Sequence, residues 1–180
     1  MLINTYAVKS GIFSRLQIKE TVLILALSIL IPFLIHLFLA YNGVPVGAIV
    51  LAMFFAPYIA IRYFNFHVGI IAALLAPILN YFVTGHPATG LIPLMTLQLA
   101  LFVISSRLLN EVKVFKYMNT LFAYILTIAV SALVLLIFPG LMFAASVGSY
   151  FESAFITGFP GILLLVLVNV ALVQFDKRSN

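Results

Sequence analysis

Few side chains in this sequence are of types that bind ligands or do chemistry, and most of them lie inside or beside long apolar stretches. A polar side chain inside an apolar membrane segment is costly, so it tends to face the interior of a helix bundle or a water-filled cavity. A small-molecule pocket combines apolar walls with a few convergent polar groups. We therefore predict that six residues bind a small-molecule substrate: His36, Asn80, Thr84, His86, Gln98 and Glu152.

Most of these residues also have an ordinary structural interpretation, which the sequence leaves open. His36 is able to bond a neighbouring backbone carbonyl, and His86 precedes Pro87 in a turn, where an exposed histidine is common. Asn80 and Thr84 share one helical face, so a hydrogen bond within or between helices competes with substrate contact.

Gln98 and Glu152 differ in how strongly they indicate a ligand. The side-chain amide of Gln98 lies deep in an apolar stretch and has four hydrogen-bonding positions, so it needs several partners. Glu152 either begins a helix in solvent or pairs with a cationic group of a substrate. His36 and His86 together could ligate a metal or haem iron, but no spacing motif supports such a site. We expect neither a metal nor another cofactor.

The remaining residues give little support for catalysis. The chain has no cysteine, and Glu20, Glu111 and Asp176 lie at the edges of the apolar stretches. The sequence contains no nucleophile elbow, no zinc-binding H-E-x-x-H helix and no phosphate-binding P-loop. We therefore predict that the chain is not an enzyme, and that any concentrative transport needs an external motor.

Membrane-spanning helices must position these side chains. Of 180 residues, 65% are hydrophobic and 7% are charged, and the mean hydropathy is +1.28. A soluble domain has about 25% charged residues, and no water-facing basic domain is present to bind nucleic acid. We predict an all-α membrane protein with six transmembrane helices in a single integral membrane domain, 1–180. The predicted spans are near 21–40, 46–64, 67–84, 91–109, 119–138 and 153–175.

The cationic residues follow one pattern along the chain. All nine Lys and Arg residues lie at four places along the chain. These are before span one, near the connection between spans two and three, near the connection between spans four and five, and after span six. The connections 41–45, 85–90 and 139–152 contain none. Because Lys and Arg are enriched on the cytoplasmic side, we predict a multi-pass protein of the cell membrane with both termini in the cytoplasm. The predicted ligand-binding residues then lie toward the outer side.

Small residues at helical spacing indicate where helices approach closely. An alanine at every fourth position leaves a narrow strip of the helix almost bare, and such strips drive helix association in lipid. We therefore predict helix packing or partner docking by six alanines in spans two and three: Ala48, Ala52, Ala56, Ala60, Ala72 and Ala76.

Prolines inside the predicted spans indicate a second feature of the bundle. Each one removes a backbone donor and leaves the carbonyl four residues earlier without its helical partner. In lipid, that carbonyl must be satisfied by a neighbour, a water or a ligand. These prolines either kink the helices or form hinges or a cavity. The proline and carbonyl pairs are Pro32 with Ser28, Pro57 with Met53, Pro77 with Ala73, and Pro160 with Ile156.

The middle of the chain carries a resemblance to a known family. It contains Gly43-Val44-Pro45-Val46-Gly47-Ala48, a proline-bearing helix, Phe66-His67-Val68-Gly69 before a helix rich in small residues, and Asn80-Tyr81-Phe82-Val83-Thr84-Gly85-His86-Pro87. With six spans, two cytoplasmic ends and no motor, this pattern resembles the S component of energy-coupling factor (ECF) vitamin transporters. The S component is the substrate-binding membrane subunit of that ABC-type importer.

The resemblance implies a function and a set of partners. A chain of this kind would capture a vitamin-like or otherwise apolar micronutrient outside the cell, under the loops 41–45, 85–90 and 139–152. It would then dock on a membrane coupling subunit driven by two cytoplasmic ATPases. The family commonly has an A-x-x-x-A docking strip on its first helix, whereas span one here offers only Ala26 and Ser28.

Three other functions stay open at this point. The chain also resembles the MreD-like cell-shape proteins in size and helix count, which would make it a membrane scaffold without transport. A self-contained small facilitator and a membrane enzyme with an unrecognised site are the other two. The sequence does not identify the cargo.

Overall fold

The computed structural model describes residues 15–36, 46–141 and 146–179, and these residues contain helices and no strand. The predicted connection 41–45, residues 37–40 of the first predicted span and the side chain of His36 lie outside this part. The α-helices are α1 (Arg15–His36), α2 (Val46–Ile49), α3 (Ala52–Tyr63), α4 (Phe66–Thr84), α5 (Ile92–Asn110), α6 (Asn119–Ile137), α7 (Val147–Glu152) and α8 (Phe159–Ser179). A π-helical turn, Ser153–Thr157, joins α7 to α8, and short 3₁₀ turns lie at Thr89–Leu91, Lys113–Phe115 and Pro139–Leu141.

Five of the described helical stretches are long and apolar enough to cross a membrane. Each has 19 or 22 residues, which at 1.5 Å per residue matches a hydrocarbon core of about 30 Å. Their outward faces are apolar, and Leu133, Leu136 and Leu167 are each at least 60% exposed. The five stretches are Gln17–Ile35, Phe66–Thr84, Thr89–Asn110, Asn119–Ile137 and Phe159–Lys177. The chain thus has the helices of a multi-pass membrane protein.

The predicted span 46–64 is not one continuous helix. Its backbone is interrupted between α2 and α3, where Leu51 adopts the left-handed conformation with φ 53° and ψ 42°. Gly161 of α8 packs directly against this interruption. A Cβ atom on Gly161 would lie 2.6 Å from the carbonyl carbon of Val50 and 2.8 Å from the backbone nitrogen of Leu51. Because Gly161 has no side chain, the interrupted backbone can occupy the space beside it.

The last predicted span, 153–175, also begins differently from the prediction. Its first residues form the π-helical turn, in which the N–H of Gly158 donates to the carbonyl of Ser153 at 3.1 Å. Pro160 is the second residue of α8 and not an interior proline. Since the first four N–H groups of a helix have no helical acceptor, Pro160 does not interrupt the hydrogen bonds of α8.

Two apolar cores hold the bundle together. The larger one lies between α3, α4, α5, α6 and α8, and the smaller one between α1, α3 and α4. Ala56, Ala60 and Ala72 belong to the smaller core, where they pack against Ile24 and Val68. Ala52 and Ala76 are buried as well, whereas Ala48 is exposed. Five of the six predicted packing alanines are therefore buried against helices of the same chain.

Charged side chains join the ends of α3 and α8. Arg62 Nη2 lies 2.5 Å from Asp176 Oδ2, and Lys177 Nζ lies 5.3 Å from the ring centroid of Tyr117 in the α5–α6 connection. Asn169 of α8 is fully buried, accepts a hydrogen bond from the hydroxyl of Tyr58, and donates to the carbonyls of Lys116 and Tyr117. We call this end of the bundle, where α3, α5 and α8 finish, the cationic end.

Candidate functional site

A cavity of about 500 Å³ lies toward the opposite end of the bundle, where α4 and α6 finish. We call this end the pocket end. The walls of the cavity come from α1, the α2–α3 interruption, the α4–α5 connection, α5, α6, α7 and the π-helical turn. The described residues that line it are Pro32, Gly47, Ala48, Leu51, Ala52, Met53, Phe54, His86, Pro87, Ala88, Leu91, Leu94, Met95, Gln98, Tyr124, Ser149, Tyr150, Ser153, Ala154, Thr157 and Gly158.

Both interruptions of regular helix border this cavity. The first contributes Leu51, and the second contributes Ser153, Ala154 and Thr157. Irregular backbone at membrane depth is tolerated where it is buried in protein or lines a cavity. Single π-helical turns are frequent at functional sites, and interrupted helices surround the substrate sites of many transporters. The backbone around the cavity is thus of a kind that binding sites in membrane proteins use.

A tyrosine hydroxyl donates to a backbone carbonyl that has no helical donor because of the π-helical turn. In an α-helix, the N–H of Gly158 would donate to the carbonyl of Ala154, but here it donates to Ser153. The hydroxyl of Tyr124 on α6 donates to the carbonyl of Ala154 instead, at 3.0 Å. Gly158 admits this hydroxyl, because a Cβ atom at that position would lie 3.2 Å from it. Tyr124 therefore stabilises the turn that forms one wall.

The deeper walls of the cavity are apolar and aromatic. Phe54 and Tyr124 meet with ring centroids 5.6 Å apart at an interplanar angle of 66°. Met53, Leu94 and Met95 complete this part of the wall. Methionine adapts to irregular shapes, and aromatic rings supply large flat contact areas. These walls suit an apolar body.

The polar groups of the cavity come from a few side chains on different elements. The Nε2 amide of Gln98 on α5 donates to the hydroxyl of Tyr150 on α7 at 2.8 Å. Burial raises the pKa of Tyr150, although the hydrogen bond from Gln98 acts in the opposite direction, so the hydroxyl stays protonated at neutral pH. His86, Ser149, Ser153 and Thr157 add an imidazole and three hydroxyls.

The described wall of the cavity has one side chain that can take up a proton near neutral pH, the imidazole of His86, and no side chain that carries a permanent formal charge. No Lys, Arg, Asp or Glu is present among the described residues that line it. Residues 37–45 and 142–145, which lie outside the described part, contain no such residue in their sequence either. Apart from Glu152, which is exposed at the end of α7, the charged residues of the described bundle lie toward the cationic end.

The structure brings together two of the predicted site residues, His86 and Gln98, on the wall of the cavity. Thr84 does not line the cavity, but its hydroxyl accepts a hydrogen bond from the backbone N–H of His86 at 3.2 Å. Glu152 is exposed at the end of α7 and does not line the cavity. Since the side chain of His36 is outside the described part, its distance from His86 is not defined. Among the described residues, no three His, Asp or Glu side chains are grouped as a metal site.

Asn80 is fully buried away from the cavity and joins α4 to α1. Its Nδ2 amide donates to the carbonyl of Ser28 at 2.7 Å and to that of Ala76 at 2.9 Å. The carbonyl of Ser28 lies four residues before Pro32, which has no N–H to donate. Asn80 thus supplies the donor that Pro32 removes, and the interhelical interpretation of this residue accounts for its position.

Sequence reasoning missed several residues of the cavity. Leu51, Met53, Phe54 and Tyr124 line it, but in the sequence they are ordinary members of apolar stretches. The sequence does signal irregular backbone elsewhere in the wall, because Gly158 and Gly161 flank Pro160 and interrupt the apolar run there. That signal does not identify any of the four missed residues.

No family model, no curated protein and no solved structure matches this chain.

Proposed function

We propose that this chain captures a small, largely apolar molecule in the cavity and is the substrate-binding membrane subunit of an ECF-type importer. The cavity is the observation that carries the proposal. Its volume of about 500 Å³ lies within the range of sites for vitamin-sized or drug-sized ligands. Its apolar walls and few convergent polar groups also match what such sites contain.

The connections that the family resemblance places over the ligand support this proposal. His86, Pro87 and Ala88 come from the connection 85–90, and Ser149 and Tyr150 from the connection 139–152. Both segments contribute to the cavity wall. A ligand in the cavity would therefore contact the loops as well as the long helices.

The proposed topology has six crossings, of which α2 and α3 together form one discontinuous crossing. From Val46 to Tyr63 these two helices extend about 27 Å if each residue adds 1.5 Å. They run from the pocket end, where Ala48 lines the cavity, to the cationic end, where Arg62 meets Asp176. With the cationic end in the cytoplasm, both termini are cytoplasmic and the cavity belongs to the outer half of the membrane.

Energy for transport comes from partners in this proposal. The sequence has no phosphate-binding loop, so a membrane coupling subunit and two cytoplasmic ATPases would supply it. The polar groups of the cavity are an amide, hydroxyls and one imidazole, without a carboxylate to orient or activate them. This set supports binding of a ligand better than its chemical conversion.

Native mass spectrometry of the purified full-length protein in nanodiscs tests this function. We expect the wild-type protein to retain a small molecule under mild activation. The variant Ala48→Phe, which adds a ring at the cavity wall, should lose most of it. Ala129→Phe is the matched control, because Ala129 is exposed on α6 outside the cavity, and it should retain the molecule as the wild type does.

The alternatives give different results in related experiments. A scaffold without transport retains no molecule, and its wild-type and Ala48→Phe forms give the same spectra. A self-contained facilitator moves the identified molecule across liposome membranes with no ATPase present, whereas the proposed subunit needs its partners for uptake. A membrane enzyme releases a chemically altered molecule over time.

A further inference from the structure

The described residues of the cavity wall include no Lys, Arg, Asp or Glu, and this restricts the chemistry of the ligand. An ionised group in an apolar site is costly unless an opposite charge pairs with it. The described wall offers no cation to a carboxylate or phosphate and no carboxylate to an ammonium group. His86 is on the exposed edge, and Glu152 is exposed outside the wall. A charged ligand would therefore be buried without a partner in the deeper part.

Gln98 provides the most specific contact for a ligand in this deeper part. It is the one side-chain amide among the described residues of the wall, and its hydrogen bond to Tyr150 orients the amide group. That bond is the one hydrogen bond of the Gln98 side chain within the described part of the chain, so its Oε1 atom and its second amide hydrogen are left for a ligand. An amide presents these as one acceptor beside one donor.

We infer that the ligand is uncharged and presents an amide-like pair of one donor and one acceptor to Gln98, on a body that is otherwise apolar. Primary amides, lactams and related ring systems belong to this class. A carboxylate offers only acceptors and an ammonium group only donors, so each leaves half of the Gln98 amide without a partner. This inference rests on the proposed function, because it names the ligand class of the same cavity.

Three probes that share one ring system test this ligand class. They are 2-naphthamide, 2-naphthoate and 2-naphthylmethylammonium, which differ in the charge and hydrogen-bonding pattern of the head group. Their binding to the full-length protein in nanodiscs of zwitterionic lipid is measured by equilibrium dialysis, with empty nanodiscs as the baseline. We expect the Kd of 2-naphthamide to be at least tenfold lower than that of either charged probe.

Substitutions of Gln98 show whether this residue causes the preference. Gln98→Leu should remove the tenfold advantage of 2-naphthamide, because it deletes both hydrogen-bonding groups. Gln98→Glu should reverse the order, so that 2-naphthylmethylammonium binds at least tenfold more tightly than 2-naphthamide. Gln174→Leu is the matched control, since Gln174 is exposed on α8 near the cationic end, and it should keep the wild-type order.

The outcomes separate the ligand class from the proposed function. Equal or tighter binding of a charged probe to the wild-type protein overturns the ligand class, as does an amide preference that persists in Gln98→Leu. In both cases the cavity still binds a small molecule and the proposed function stands. If no probe binds saturably, the ligand class is wrong. If native mass spectrometry then also finds no retained molecule, the proposed function is wrong as well.

Discussion

A polar residue inside an apolar helix can be required by a proline on a neighbouring helix, and Asn80 is such a residue. The sequence identifies both partners. Pro32 must leave the carbonyl of Ser28 without a helical donor, and Asn80 has a side-chain amide inside an apolar stretch, where it needs a hydrogen-bonding partner. It does not show that they meet, since their contact depends on how α1 packs against α4. The distance of 2.7 Å between Asn80 Nδ2 and the Ser28 carbonyl establishes the contact.

The variant Asn80→Leu should lower the free energy of unfolding by about 1 to 2 kcal/mol, because a carbonyl inside the bundle loses its donor. In a Pro32→Ala background the same substitution should cost less, since the N–H of residue 32 can then donate to Ser28. Reversible unfolding in mixed detergent micelles measures both values as a double-mutant cycle. Equal losses in the two backgrounds would show that Asn80 does not act through Pro32.

The sequence predicts the polar residues of the cavity better than its apolar residues. His86 and Gln98 could be predicted near one site because His86 follows span 67–84 and Gln98 is near the start of span 91–109, which places both toward the same side of the bundle. Phe54 and Tyr124 could not, because nothing in an apolar run distinguishes a side chain that lines a cavity from one that faces lipid. That difference is set by the neighbouring helices.

At the scale of elements, long uniform helices are predictable and interruptions are not. The predicted spans 67–84 and 119–138 differ by one residue at most from the observed ends of α4 and α6, because turn-forming or polar residues bound each apolar run. The interruption at Leu51 has no local glycine or proline. It depends instead on the space at Gly161, which is more than a hundred positions away in the sequence.

The variant Gly161→Ala should destabilise the protein by about 1 to 3 kcal/mol and reduce retention of the bound molecule. The added methyl group would collide with the backbone of Val50 and Leu51, which cannot move without displacing the cavity wall. Gly140→Ala is the control, because a Cβ atom there has no neighbour within 4 Å among the described residues. Thermal unfolding and native mass spectrometry measure the two effects. If both alanine variants behave alike, the contact between α8 and the interruption is unimportant.

At the scale of the whole molecule, the two ends of the bundle are chemically different. The cationic end contains the ion pair of Arg62 with Asp176 and the buried amide of Asn169 with its three partners. The pocket end contains the cavity and short helical elements. The proposed placement of the cationic end in the cytoplasm rests on the Lys and Arg residues near that end.

Cysteine labelling tests that placement, and the chain is well suited to it because it contains no cysteine of its own. Lys116→Cys and Lys177→Cys should react with a membrane-impermeant maleimide only after the cytoplasmic side is opened. Thr89→Cys and Ser149→Cys should react in intact cells, because both residues lie at the pocket end. Reaction of either lysine position in intact cells would reverse the proposed orientation.

The small size of α2 and α7 has a consequence for the residence time of a bound molecule. With four and six residues, neither element is held by a long ladder of backbone hydrogen bonds. The hydrogen bond from Gln98 to Tyr150 holds α7 against α5. A molecule that leaves the cavity past α7 has to break that contact and shift a few residues, while the contacts at the cationic end keep the long helices in register. Dissociation should accordingly be quick in Tyr150→Phe even where the equilibrium stability of the bundle is unchanged.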